Sequence, residues 1–297
     1  MSGWRRAARL ATPVFAVVGV FVLWDLTVRV FDVKPYLVPS PASTFQAIAD
    51  DWEILRPYTW TTVTETVLGF VLGAVVGFVL AVLMSRWSLV QRVVYPLLVG
   101  SQAIPIVAIG FPLVILLGYG LRPKVSIVAF IVFFPVVVNV LDGLANVDRD
   151  LLNLAKVMSG RPWRVFLLIE LPATVTPLFS ALKLGATYAV TGAVLGEWIA
   201  TTTRGLGNYL LVQNSRLNTD AVYGAVLLLT AIGVSGFLLV LGLERLATPW
   251  RSRSTARRWR RRTPPAGADV TEPSADPAMS ATVAVSEDGS RTEGDRS

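Results

Sequence analysis

The stretch Asp148 to Pro172 (DRDLLNLAKVMSGRPWRVFLLIELP) is a polar island between long apolar segments and carries Arg149, Lys156, Arg161 and Arg164. Leu151, Leu152, Leu154, Ala155 and Met158 recur at helical spacing. That pattern predicts a short amphipathic helix ending near Ser159-Gly160, followed by a second helical run closed by Leu171-Pro172. A helix lying outside a bilayer must bury its apolar face on something. The spacing alone leaves two readings open: packing back on its own chain, or docking on another protein.

The rest of the chain decides the class of molecule. Of 297 residues 53% are hydrophobic and 16% charged, and the mean hydropathy is +0.58. These values belong to a membrane protein. Apolar runs of about 20 residues, the length that crosses the hydrocarbon of a bilayer, recur along the first 250 positions. Six spans are predicted, at about 13–30, 63–84, 93–117, 125–141, 178–200 and 222–243. They make an all-α transmembrane bundle over 13–250, preceded by a short N-terminus, 1–12. Cysteine and histidine are both absent, which removes disulfides, thiolate chemistry and histidine metal sites or bases. The net charge of +7 gathers at span ends and in the juxtamembrane segment 251–262, which carries seven arginines. That distribution fits membrane orientation and anionic lipids, not nucleic acid. From Thr263 to Ser297 the composition predicts a disordered tail.

Within the spans, several residues carry expectations. Asp25 and Arg29 stand four apart at the outer end of the first span, where an ion pair can form. Ser40-Pro41-Ala42-Ser43 reads as a turn leading into a short helix. Gly69, Gly73 and Gly77 give the second span one small face on which another helix can pack closely. Pro96, Pro105 and Pro112 interrupt the third apolar region, so it should be covered by other helices or line a cavity. This makes Gln102 a candidate for the translocation pathway, and Asn139, Tyr188, Thr191 and Glu197 join it as polar groups in or beside spans. Glu197 also admits a plainer place at the outer boundary, where an exposed carboxylate is cheap. Gly118 to Lys124 reads as a tight outer turn, and Lys183 as a snorkelling lysine. The basic residues of alternate loops place both termini and the 148–172 stretch in the cytoplasm.

In that stretch Asn153-Leu154-Ala155, Ser159 with Gly160 beside it, Ile169, and Leu171-Pro172 keep the spacing of a known loop. It resembles the cytoplasmic loop of importer-type ABC transporter permeases, in which Glu-Ala-Ala, a glycine, an isoleucine and Leu-Pro stand at these places. Leu37-Val38-Pro39-Ser40-Pro41 resembles the Leu-Pro-Ser-Pro of the nitrate, sulfonate and taurine branch, and Gly205-Leu206-Gly207 the turn after the fifth helix. The resemblance covers about Tyr36 to Trp250. It implies the MetI-like type I importer fold, with Asn153, Leu154, Ala155, Ser159, Gly160, Leu171 and Pro172 in a coupling loop seated on an ATPase. It implies a multi-pass protein of the bacterial cytoplasmic membrane whose partners are a second permease copy, two ATPase subunits holding ATP and Mg, and an extracytoplasmic binding protein. The run Ile115 to Val125, with Phe133-Phe134-Pro135 and Val138-Asn139, looks like the subgroup for pyrimidine-type thiamine precursors or riboflavin. Sulfonate, taurine and nitrate members share most of the framework.

No Gly-x-x-x-x-Gly-Lys-Ser/Thr loop occurs in the chain, so ATP chemistry has to come from a partner. Neither a Ser-His-Asp set nor a paired-carboxylate site is present, and the chain is read as a transporter subunit without catalytic residues, bound metal or cofactor. An ion-coupled secondary transporter would need ionisable groups at mid-membrane or an inverted repeat. A membrane scaffold would explain the arginine-rich end but not the loop spacing.

Overall fold

The computed structural model describes residues 2–157, 161–200 and 204–248, with the side chains of residues 2–14, 149, 156 and 162 left aside. The segments expected to be basic and disordered, 251–262 and 263–297, lie outside them. The described residues form α-helices and one π turn, with no strand among them. In chain order these are α1 (Ser2–Val30), α2 (Pro41–Asp50), α3 (Trp52–Arg86), α4 (Ser88–Ser101), α5 (Ile106–Leu117), α6 (Leu121–Ala145), α7 (Arg149–Val157) and α8 (Pro162–Val165). A π turn at Phe166–Glu170 joins α8 to α9 (Leu171–Ile199), and α10 (Leu206–Ser215) and α11 (Thr219–Ala247) complete the chain.

Among the described residues four helical stretches are long and apolar enough to cross a membrane, at 52–86, 121–145, 163–199 and 219–247. The pair α4 and α5 makes a fifth if it is one span. That pair bends by 104° at its break, so the region expected as a span at 93–117 is two helices meeting at an angle. Pro105 removes the backbone donor that would carry the ladder across. Instead Gln102, Ala103 and Ile104 close short bonds onto Val99, Gly100 and Ser101, and α5 starts anew. The expected first span, 13–30, falls partly among residues whose side chains are not described.

Helix α6 is the centre of the bundle. Val128, Val132, Val136 and Val140 repeat every four residues on it and are fully buried. They meet Ala81 and Met84 of α3 and Ala181, Ala189 and Ala193 of α9. Small residues make this closeness possible. A Cβ added at Gly77 would stand 3.0 Å from Val136 Cβ and 2.8 Å from the Phe133 carbonyl, and one at Gly73 would stand 3.0 Å from Val132 Cβ. Gly69, Gly73 and Gly77 meet α6 in ascending order, so α3 and α6 run parallel. On α9, Gly185 meets Val132, Gly192 meets Val128 and Gly196 meets Lys124, so that pair is antiparallel. With lipid tails as solvent, close packing of this kind holds helices together where water expulsion does not. The opposite face of α3 leaves Val67, Val71, Val75 and Val79 exposed, as a lipid-facing surface requires.

At the end of the bundle opposite α7, Ser40 caps α2 by accepting from the Ser43 amide at 3.1 Å, with Pro41 at the first position. Arg29 pairs with Asp25 at 2.7 Å, as expected from their spacing. Tyr209 of α10 donates its hydroxyl to Asp51, and burial together with that carboxylate raises its phenol above the ordinary range. Lys183 reaches across to Glu244 of α11 at 2.8 Å, a partner its place in the sequence did not suggest.

The glycine face predicts its own test. Gly73→Val forces a branched side chain against the Ala129 backbone and should cost about 1–3 kcal/mol, seen as a lower midpoint of thermal unfolding in detergent. Gly19→Val, whose added Cβ meets nothing within 4 Å, should leave the midpoint nearly unchanged.

Candidate functional site

The break between α4 and α5 opens a cavity of about 550 Å³. Ser101, Gln102 and Ile104 to Ile106 form one wall, Phe130, Ile131, Phe134, Pro135, Val138 and Asn139 of α6 a second, and Leu184 and Tyr188 of α9 a third. Three of the five residues singled out for a pathway, Gln102, Asn139 and Tyr188, therefore meet in one place. Two carboxamides and a phenol converge on three apolar walls that include the rings of Phe130 and Phe134, and no charged side chain lines the space. The Asn139 amide donates to the Pro135 carbonyl at 2.8 Å, which fixes its orientation on α6. Asn139 also lines a second cavity of about 400 Å³ with Asp142, Asn146, Thr176 and Ser180, toward the α7 end. The two cavities share that residue, and together they run along the α6–α9 seam.

Thr191 lies elsewhere, in an apolar cleft of about 600 Å³ between α9 and α11. Glu197 is neither exposed at a boundary nor part of the cavity: it is buried. Its Oε1 accepts from the Thr62 hydroxyl at 2.6 Å. Its Oε2 accepts from the backbone N–H groups of Gly207 and of Asn208, the latter at 3.2 Å. These are unsatisfied donors of the α10 N-terminus, where a negative charge is favoured. The carboxylate occupies the space that a Gly205 side chain would need, so the Gly205-Leu206-Gly207 sequence is the imprint of Glu197. Thr62 also accepts from the Leu206 amide at 2.9 Å, and the Trp198 indole donates to the Gly207 carbonyl at 3.0 Å.

Beside this carboxylate Lys124 of α6 is 0% exposed and donates to Glu65 Oε1 of α3 at 2.7 Å. The tight outer turn read at Gly118 to Lys124 is thus shorter: α6 begins at Leu121, and Lys124 faces inward because Gly196 lets α9 approach it, with an added Cβ only 3.1 Å from Lys124 Cα. Sequence reasoning passed over Glu65, Thr62 and Lys124. The signal available was an acid, Glu65, standing inside the second expected span and a lysine directly at the start of the fourth, the arrangement in which a buried ion pair forms.

At the other end, α7 presents Leu151, Leu154 and Val157, 51%, 57% and 83% exposed. Their i, i+3, i+6 spacing puts them on one face, uncovered by the other described residues. Asn153 is exposed and Ala155 half-buried, while Ser159 and Gly160 lie outside the described residues. Leu171-Pro172 does not close the second helical run. The run passes through the π turn into α9, with the Leu171 amide bonding the Phe166 carbonyl. Pro172 has no N–H for the Leu168 carbonyl and its ring crowds it; widening the turn by one residue relieves both.

The sequence pattern of the family described as binding-protein-dependent transport system inner membrane component matches residues 69–253. The chain belongs to this family. As an ABC importer permease subunit it is a multi-pass membrane component and not an enzyme, and the family implies ATPase and binding-protein partners and dimerisation. It is similar to a probable ABC transporter permease protein of Haemophilus influenzae, 34% identical over 76% of this chain and 92% of the relative. The formylaminopyrimidine transport permease protein ThiX of Halalkalibacterium halodurans is 30% identical over 84% of this chain and 99% of its own length. The riboflavin transport system permease protein RibX of Chloroflexus aurantiacus is 29% identical over 78% and 87%. An inward-facing structure of the MetNI methionine ABC transporter shares the fold at a TM-score of 0.59 and 17% identity, covering 67% of this chain and 98% of that one.

Among the permease's buried charges, Lys124→Met strands Glu65 and should destabilise by about 3–5 kcal/mol. Pairing it with Glu65→Leu should recover most of that loss. Thermal unfolding of the purified permease in detergent reads both.

Proposed function

We propose that this permease carries a small, flat, uncharged heteroaromatic solute, of the pyrimidine thiamine-precursor kind or riboflavin-like, across the cytoplasmic membrane by alternating access. The cavity at the α4–α5 break carries the reading. Rings at Phe130, Phe134 and Tyr188 suit an aromatic plane, and the Gln102 and Asn139 carboxamides each offer a donor and an acceptor, the complement of a ring amide or aminopyrimidine edge. A sulfonate or nitrate would bring a full charge into a space with no cation lining it, at a desolvation cost nothing there offsets. The names of two relatives, for formylaminopyrimidine and for riboflavin transport, support the same class. Thr191 and Glu197 stand outside this pathway.

In this reading two copies of the chain enclose the route, a binding protein outside delivers the solute, and two ATPase subunits drive the cycle. Both termini and α7 face the cytoplasm, which the distribution of basic residues supports. The coupling loop spans 148–172, and Asn153, Leu154, Ala155, Ser159, Gly160, Leu171 and Pro172 form its contact and hinge positions. The exposed face of Leu151, Leu154 and Val157 is the apolar surface that an ATPase groove would bury.

Two measurements test this. Leu154→Asp with Ala155→Asp should abolish recovery of a P-loop ATPase with the tagged permease while leaving membrane insertion intact; equal recovery refutes the docking role. In proteoliposomes holding the assembled transporter and its binding protein, ATP-driven uptake should be seen for radiolabelled hydroxymethylpyrimidine or riboflavin and not for taurine. Gln102→Leu and Asn139→Leu should each lower that uptake by about 5–150-fold, the consequence of losing about 1–3 kcal/mol of hydrogen bonding. Uptake of taurine alone would replace the substrate assignment.

A further inference from the structure

Arg86, the last residue of α3, stands where α3 meets the π turn. Its guanidinium donates to Glu170 Oε2 and lies 4.4 Å from the centre of the Phe166 ring. Those two residues are the first and last of the π turn, so one side chain grips both ends of the only non-α segment in the described helices. Phe166 is buried and is itself in ring contact with Trp163 of α8 at 5.6 Å. Glu170 is half-buried, its side chain 17% exposed, while Arg86 lies at the surface with its side chain 35% exposed. An arginine suits this place because its flat cation can stack on a ring while its edge pairs with a carboxylate, which lysine cannot reproduce.

The position of this grip in the fold gives it a consequence. A π turn interrupts the regular ladder of the helix around it and is found mostly at functional sites. Left alone, a turn at 166–170 would bend when α7 is displaced, and the displacement would be spent there. Arg86 stiffens the turn and joins it to α3, a 35-residue helix about 50 Å long. The far part of α3 carries Thr62 and Glu65, which hold Glu197, Lys124 and the start of α10. Glu170 is likewise continuous with α9, whose far end carries Glu197.

We propose that Arg86 is a positioning residue for coupling: through Glu170 and Phe166 it locks the π turn to α3, so that displacement of α7 moves α3 and α9 as one unit and reaches the cavity and the opposite end of the bundle. The inference rests on the reading that an ATPase docks on α7.

The natural absence of cysteine makes a direct test possible. Ser101→Cys places one thiol on the cavity wall of this chain, and its labelling by a maleimide is compared in the assembled transporter, nucleotide-free and trapped with ADP-vanadate. With Arg86 and Glu170 intact, trapping should change the labelling rate by about fivefold or more, the range of an ordinary coupling energy. Arg86→Gln and Glu170→Gln should each reduce that change to less than about twofold, with the ATPase still co-purified and still hydrolysing ATP. The exchanged pair, Arg86→Glu with Glu170→Arg, should restore much of the response, which a general loss of stability would not do. Single variants that respond like the parent overturn the proposal. So does loss of the ATPase from the single variants alone, since that would make the pair part of docking, and so does an assembled exchanged pair with no recovery. If the parent itself retains no ATPase, the docking reading fails first and the proposal falls with it.

Discussion

Everything at the end of the bundle opposite α7 depends on how three buried charges are satisfied. Lys124, Glu65 and Glu197 come from α6, α3 and α9, and a charge in a dry interior is tolerated only when paired and hydrogen-bonded. Lys124 pairs with Glu65, while Glu197 is met by the Thr62 hydroxyl and the amides that open α10. Each requirement constrains a different helix. The result is one register for α3, α6 and α9, because sliding any of them by a turn would strand a charge. Glycines make that register sterically possible: Gly196 lets α9 reach Lys124, and Gly205 leaves room for the Glu197 carboxylate.

The opposite end is built on the reverse principle. There α7 leaves Leu151, Leu154 and Val157 uncovered, and the chain re-enters the bundle through the π turn that precedes Pro172. A closely packed, charge-paired end and an open, jointed end are what a subunit needs if force enters at one side and must appear at the other. Between them lies the cavity at the α4–α5 break. Breaking a helix at Pro105 frees backbone groups that hydrocarbon could not satisfy, and the same break brings Gln102 to face Asn139 and Tyr188. The proline is thus tolerated at the one place where a polar space is wanted.

Much of the site was legible in the sequence because its signals are local. Prolines at 96, 105 and 112 announce a broken segment, and a lone amide beside such a break is conspicuous in an apolar run, hence Gln102; Asn139 and Tyr188 stood out only as polar groups in or beside spans. The amphipathic spacing of α7 was equally plain. Glu197 was misplaced for a reason that is also physical. Near the end of a span, an acid at the surface and an acid under a folded-back turn look alike in one dimension. Only the presence of Thr62 and the α10 amides within reach distinguishes them. The same limit hid the link between Lys183 and Glu244, 61 positions apart, and that between Arg86 and Glu170.

By itself the sequence determined the class of the molecule, an all-helical membrane protein with a polar stretch at 148–172, because hydropathy, helical period and proline position act over a few turns of chain, and the spacing of that stretch carried the likeness to permeases. It also determined which helix faces are small enough to meet. The tertiary structure alone decided which charges are partners, that Pro172 widens a helix instead of ending it, and that the region 93–117 turns through 104°. Those outcomes depend on groups brought together from distant parts of the chain, and the energy of burying a charge or a backbone break is set by what surrounds it.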